Sequence, residues 1–415
     1  MKLPAFSLCV GLVMPFTAHA LDVNSIDING FGSIIGSMTS DEDENLYGID
    51  DEFDFQNESR FAVQVSSRLS EKWSATAQIL ARGEDQYDPT FEWAYLSYEA
   101  TSNLKLFFGR QRFKQYKYSG YVDVGYAYPW LRLPQGVYSV PFSSGDGVGA
   151  AYQTYAGDLE VNLQYNILGS TIDDFVPSTG GNPSTIDIQL SHILSLDFNF
   201  QQFNFGANFA YIPELSYDIL GADPRLQGVF GQNQAGQDAL DGLVAQGLIS
   251  GAIANDVRDL KNDDIEVFTW DLYAGWDNGD VFVLAEYSDQ NFSESSLADQ
   301  ESWYFTGGYR FGQYTFHATY GQDKNDASTD AADQLASAVN AAVPPGFQPD
   351  SLVGLVAGVN ALQNAQVEDS EFYIFGVRYD FDAAVALKAD YTTVMDDDNP
   401  QREAEIFAVG LDFVF

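Results

Sequence analysis

From Ser25 to Phe415 the apolar residues recur at every second position, in segments of about ten residues separated by turn or loop chemistry. Period two is the signature of a strand, because successive side chains point to opposite faces. The last segment shows it most plainly: Phe407, Val409, Leu411, Phe413 and Phe415 alternate with Ala408, Gly410, Asp412 and Val414. In the same way Phe61, Val63, Val65 and Leu69 oppose Arg60, Gln64, Ser66 and Arg68, while Trp73, Ala75, Ala77, Ile79 and Ala81 oppose Ser74, Thr76, Gln78 and Arg82. One apolar face and one small or polar face, repeated along the chain, predict an all-β transmembrane barrel with antiparallel up-and-down strands, lipid outside and water inside.

The pattern places strands near 25–36, 57–69, 72–83, 90–99, 103–113, 145–155, 159–168, 185–198, 200–211, 263–276, 280–288, 300–311, 313–321, 369–380, 384–394 and 403–415, sixteen in all. Every even connection is tight (Ser70-Glu71, Gly157-Asp158, Gly312) and every odd one is longer and more acidic. Short turns at a periplasmic end and long loops at an extracellular end are what such a barrel produces. Three loops exceed what a hairpin needs. The third, from about Lys114 to Ser144, is rich in aromatics and broken by Pro129 and Pro134; the fifth and seventh carry helical spacing over Leu240 to Val257 and Leu335 to Gln363.

Composition narrows the class further. Against 60 Asp+Glu stand 19 Lys+Arg, a net charge of -41, which excludes nucleic-acid binding driven by overall charge. With 45% hydrophobic and 15% aromatic residues the chain is too apolar to be an acidic disordered segment. No apolar run beyond the N-terminus approaches the ~20 residues of a spanning helix. Lys2, the apolar stretch Leu3 to Phe16 and Ala18-His19-Ala20 read as a secretory signal peptide over residues 1–20, leaving residues 21–415 as the barrel domain. Cys9, the only cysteine, falls within that leader, so the mature chain offers no thiol for a disulfide, a metal site or a nucleophile. No cofactor is expected.

Charge is unevenly spread. Between Arg60 and Arg132 ten basic residues meet seven acidic ones, a local +3 in a strongly acidic chain. A charge facing lipid at mid-bilayer costs roughly 2–4 kcal/mol, and the alternation points Arg60, Arg68, Arg82, Arg310, Arg378 and Lys388 inward. Closing the barrel makes their strands contiguous, which predicts one basic wall. Strict alternation would turn Arg110 and Arg112 outward; a bulge at Gly109 would return both to that wall, at the root of the third loop. The acids gather in loops, eight of them in the first (Asp41 to Asp54) and Asp396-Asp397-Asp398 in the eighth, predicting an anionic rim. Asp41 to Leu46 lacks the glycine an EF-hand needs at its sixth position.

Together, the Ala18-His19-Ala20 leader, the final strand Ala404 to Phe415 and Phe108-Gly109-Arg110-Gln111 ahead of the long third loop resemble the Gram-negative general porin family. The resemblance implies a sixteen-stranded barrel, a homotrimer in the outer membrane among lipid and lipopolysaccharide, and a third loop folded inward to narrow the pore beside arginines on the opposite wall. Carried onto this chain, the constriction loop comprises Tyr116, Tyr118, Asp123, Tyr126, Tyr128, Trp130 and Arg132. The family's acidic Pro-Glu-Phe-Gly-Gly-type sequence is replaced here by Asp123-Val124-Gly125-Tyr126-Ala127-Tyr128-Pro129-Trp130.

The leading expectation is passive diffusion of small hydrophilic solutes and ions through a water-filled channel. A substrate-preferring channel, for sugars stacking on the loop aromatics or for anions, is the alternative. Outer-membrane hydrolysis would need an activated nucleophile beside a base, and beyond the leader the chain has only His192 and His317, neither with a nucleophile that stands out. A structural barrel plugged by the fifth and seventh loops is a further reading.

Overall fold

The computed structural model describes residues 26–415 except 43, 139–142, 176–183, 218–233, 260–263, 293–296, 327–329, 345, 347, 349–352, 355, 359, 361–366 and 397–402. The leader expected over residues 1–20 lies outside the described residues. Strands β1 (Ile26–Thr39), β2 (Arg60–Arg68), β3 (Trp73–Arg82), β4 (Pro89–Glu99), β5 (Leu104–Arg112), β6 (Ser144–Ala156), β7 (Leu159–Phe175) and β8 (Ser184–Phe200) form one half of a closed sheet. Strands β9 (Phe203–Tyr217), β10 (Ile265–Asp277), β11 (Val281–Phe292), β12 (Asp299–Phe311), β13 (Tyr314–Asp326), β14 (Glu368–Asp382), β15 (Val385–Asp396) and β16 (Ala404–Val414) form the other. Each strand pairs antiparallel with its sequence neighbours, and β16 closes on β1 from Phe31↔Val414 to Thr39↔Ile406. Closure leaves no sheet edge, so every strand has a partner on both sides, as hydrocarbon requires.

The alternation in sequence becomes the two faces of this sheet. Phe305, Phe375 and Phe407 are about half exposed on the outside, whereas Thr306, Lys388 and Asp412 are fully buried inside. Strands β7, β9, β11 and β13 run beyond the expected segments at the long-loop end, β7 furthest. A register shift between Leu168 and Ser170, opposite Leu190 at φ +46°, breaks the period there, and polar tips continue the ladder past the apolar signal. Helices α1 (Gln234–Ala245) and α2 (Gly251–Asp259) occupy the fifth loop and α3 (Asp330–Ala342) the seventh. They bury Leu240, Ala254, Leu335 and Val339, and α2 packs on both of the others.

The third loop does not stay outside. After β5 it turns into the barrel, and Tyr116, Tyr118, Tyr128, Trp130, Leu133 and Val137 form a core with the inward-facing Tyr273, Leu284, Tyr304, Phe372, Ile374 and Val394. The lumen of β10 to β15 therefore reads as the inside of a globular domain, with the loop supplying its centre.

Candidate functional site

The first anchor of the loop is electrostatic. Asp123 is buried between two wall arginines: Arg82 donates to both its oxygens, at 3.2 and 3.0 Å, and Arg112 donates to Oδ2. Glu92 on β4 completes the cluster, 2.8 Å from Arg82 and 3.5 Å from Arg112. Glu92 reaches inward because β4 gains one residue against β3, so that Gln78 faces Trp93 while Ile79 faces Phe91. Burial alone would raise the Asp123 pKa, but the guanidinium groups of Arg112, Arg82 and Arg60 outweigh it and hold the carboxyl below its ordinary 3.8. Arg60 donates to the Tyr128 hydroxyl at 3.1 Å.

A second anchor reads the loop through its backbone. Lys388, with no exposed surface, donates to the carbonyls of Gly125, Tyr128 and Trp130 at 2.7, 2.7 and 2.8 Å and pairs with Asp412 at 2.7 Å. Asp412 in turn accepts from Ser33 on β1 at 2.5 Å. Arg378 donates to the carbonyls of Tyr126 and Tyr128, at 2.7 and 3.2 Å, pairs with Asp380, and stacks its guanidinium 4.5 Å from the Tyr126 ring centroid. Next along the loop, the Trp130 indole donates to Thr319 at 2.8 Å, and the Leu131 amide donates to Asp390 at 2.6 Å. On the far side, Glu286 of β11 accepts from the Tyr138 and Tyr304 hydroxyls and from the Lys117 amide.

The structure thus brings together Arg60, Arg82, Arg112, Arg378 and Lys388, but as the seat of the loop rather than as a free wall facing it across water. Their charges are met by Glu92, Asp123, Asp380 and Asp412. Arg68 faces the lumen near the short-turn end, exposed and without an ion-pair partner among the described residues. Arg110 departs from the expected wall. It lies on the outer face with Phe108, opposite Asp146, to which it pairs at 2.6 Å. Gly109 has φ +124° and no room for a Cβ against the Ala94 carbonyl, but the ladder passes through it in continuous register, so the expected bulge is absent and Arg110 is not returned to the wall; only Arg112, the last residue of β5, reaches the inside. Of the loop residues, Tyr116, Tyr118, Tyr128 and Trp130 are buried, so their rings are spent on packing and offer no stacking faces to a solute. Tyr126 is half-buried with its hydroxyl on the Ala383 carbonyl, and Arg132 pairs with Glu58 at 2.6 Å beneath the first loop's Tyr47.

Sequence reasoning missed the lumenal acids Glu92, Asp197, Asp271, Glu286, Asp390 and Asp412. Apart from Glu92, which the extra residue of β4 turns inward, their signal was present as carboxylates alternating with the apolar face of each strand, which lipid forbids outside and which therefore called for a partner within. His317 lies inward, buried, with its Nε2 3.3 Å from Asp390 and its ring against Trp130; His192 lies outside between Tyr165 and Tyr211.

No protein-family model and no curated protein sequence matches the chain. Solved structures do. A loop-deletion form of OmpT, an outer membrane protein of Vibrio cholerae, matches with TM-score 0.55 at 14% identity, over 94% of this chain and all of that one. The outer membrane channel DcaP of Acinetobacter baumannii matches at 0.52 and 10%, over 95% and 99% of the two chains. An anion-selective porin from Comamonas acidovorans matches at 0.52 and 8%, over 94% and 99%. The architecture of this chain is the sixteen-stranded porin barrel.

Proposed function

We propose that residues 21–415, exported by a cleaved leader, form an outer-membrane channel through which small hydrophilic solutes and ions diffuse passively. The observation that carries this reading is the docked third loop. It occupies the lumen from the β1–β3 seat to the β8–β15 wall, yet among the described residues none of the hydrogen bonds or ion pairs of residues 114–138 goes to β6 or β7. A passage narrowed on one side by a fixed loop and left open on the other suits size-limited diffusion better than either an empty tube or a sealed plug. The acidic first loop is read as a cation-enriching rim, which fades as the Debye length falls to about 10 Å at 0.1 M salt. Lipid and lipopolysaccharide outside, and a homotrimer, belong to the same reading, and we assign no catalytic role to His317.

Single-channel recording of the refolded protein in a planar bilayer tests it. Large steps grouped in threes, with solute permeation falling as solute size rises, are expected; a folded protein that inserts without conducting would refute the channel.

A further inference from the structure

Toward the short turns from Arg82 and Arg112, where Asp123 is seated, the wall of β3 to β7 has its own chemistry. Two successive lumenal rows cross β3 to β7 here. One runs Thr76, Tyr95, Gly109, Gly147, Leu168, and the next, toward the short turns, runs Ser74, Ser97, Phe107, Gly149, Asn166. Neither row holds a charged residue, and Gln78, Trp93, Gln111 and Gly145 in the row above are uncharged too; Arg82, Glu92 and Arg112 lie beyond that row, and Glu99 and Lys105 form the row below. In a chain of net charge -41 such a neutral window is conspicuous.

The window is aromatic along one edge. Trp93 and Tyr95 share the inner face of β4 with ring centroids 6.2 Å apart, and Phe107 meets Tyr95 edge-on at 5.5 Å. All three are half-buried, so each keeps part of its surface toward the lumen, unlike Tyr116, Tyr118, Tyr128 and Trp130 of the third loop. Beside them Gly109 and Gly147 carry no side chain, so the row from Tyr95 to Leu168 spans three strand spacings, about 14 Å, across bare backbone, while Gly149 in the next row lies under the hydrogen bond from Asn166 to Gln111. Hydroxyls and amides frame the rest: Ser66 and Thr76 hydrogen-bond at 3.2 Å, Gln78 donates to Gln64 at 3.1 Å, and Gln164 donates to Asn166 at 2.9 Å. Gln78 Oε1, in the position directly beside Trp93, is buried without a hydrogen-bond partner and is an acceptor awaiting a donor.

We propose that this aromatic and amide window on β3 to β7 is a binding site for neutral polyhydroxylated ring solutes, a saccharide of a few units, within the channel. The chemistry argues for that class. The apolar C–H faces of a sugar ring pack on half-exposed aromatics, its hydroxyls both donate and accept with the framing amides, and a site without charge gives no advantage to ions. The proposal rests on the channel reading above and moves solute recognition from the third loop, where Tyr116, Tyr118, Tyr128 and Trp130 are buried, to the wall of β3 to β7.

The test uses maltotriose on the refolded full barrel, by block of the ion current in a planar bilayer and by tryptophan-fluorescence titration in detergent. Wild type is expected to show saturable block with millimolar half-saturation, and Tyr95→Ala and, independently, Trp93→Ala to raise that concentration at least tenfold. Phe305→Leu on the lipid-facing side should leave it unchanged, and a polyethylene glycol of matching size should not distinguish wild type from Tyr95→Ala. A conducting wild type that is not blocked, or equal block in all variants, would overturn the site and leave the channel standing. Saturable binding lost in Tyr95→Ala without any conduction would uphold the site and overturn the channel.

Discussion

Replacing Asp123 by Asn tests the seat of the third loop most directly. The side chains of Arg112 and Asp123 are 4% and 6% exposed and that of Arg82 is 18%, so the cluster is shielded from solvent screening. Breaking a buried ion network by removing one partner typically costs about 3–5 kcal/mol. Glu92 remains beside both arginines, which places this case at the low end, and about 3 kcal/mol corresponds to a roughly 140-fold rise in the undocked fraction of the loop. Locally the charge rises by one, from Arg60, Arg82 and Arg112 against Glu92 and Asp123 to the same three against Glu92 alone. Single-channel records of D123N should therefore show conductance fluctuations far more frequent than wild type and a reversal potential shifted toward anions. The exterior variant Arg110→Gln should record as wild type. A D123N channel with unchanged conductance, noise and selectivity would refute the claim that this carboxylate holds the loop.

Other outcomes follow from the same contacts. Trp130→Ala removes a fully buried ring and its hydrogen bond to Thr319, a loss of about 3–5 kcal/mol; larger conductance and faster amide exchange over residues 126–133, with the barrel still resistant to heat, are expected. Because the Asp123 pKa is depressed, its contribution is complete above the ordinary 3.8 and is lost only as pH falls toward the lower folded value. Conductance noise should hence stay flat from pH 7 to pH 4, and a rise within that window would assign the loop's hold to another group. Arg68→Glu, at an exposed lumenal position, should shift the reversal potential toward cations at 10 mM salt and hardly at all at 1 M, where the Debye length is about 3 Å.

The barrel was legible because lipid enforces one face of every strand. Sixteen segments at the right places, and the inward direction of Arg60, Arg82, Arg378 and Lys388, followed from period two alone. What the basic residues do was not legible, since their partners are the backbone of a loop some 260 positions away, as with Lys388 and Gly125. Carbonyls leave no trace in side-chain pattern. Arg110 and Arg112 show the limit of periodicity: the ladder runs through Gly109 unshifted, so Arg110 keeps the exterior place strict alternation gives it, while Arg112, two positions on and the last residue of β5, reaches Asp123. The loop aromatics invited a ligand-stacking reading because composition does not distinguish a ring buried in a core from one presented to solvent. The half-exposed rings of β4 and β5 were overlooked because single aromatics in a strand look like girdle residues.

The seat of the third loop also bears on how the molecule is assembled. Beside Arg112 of β5, its seat draws on β2 and β3 at one end of the sequence and on β14 to β16 at the other, ends that are joined only when Phe31 pairs with Val414. Until that seam is zipped, Lys388 and Asp412 lie far from Ser33 and Arg60, and the loop has half a socket. Docking is therefore expected to follow closure and to act as a keystone, because Gly125 rests against both Asp412 and Ser33, one from each side of the seam. Time-resolved refolding should show strand signal first and burial of Trp130 last, with the loop recording that the cylinder has closed.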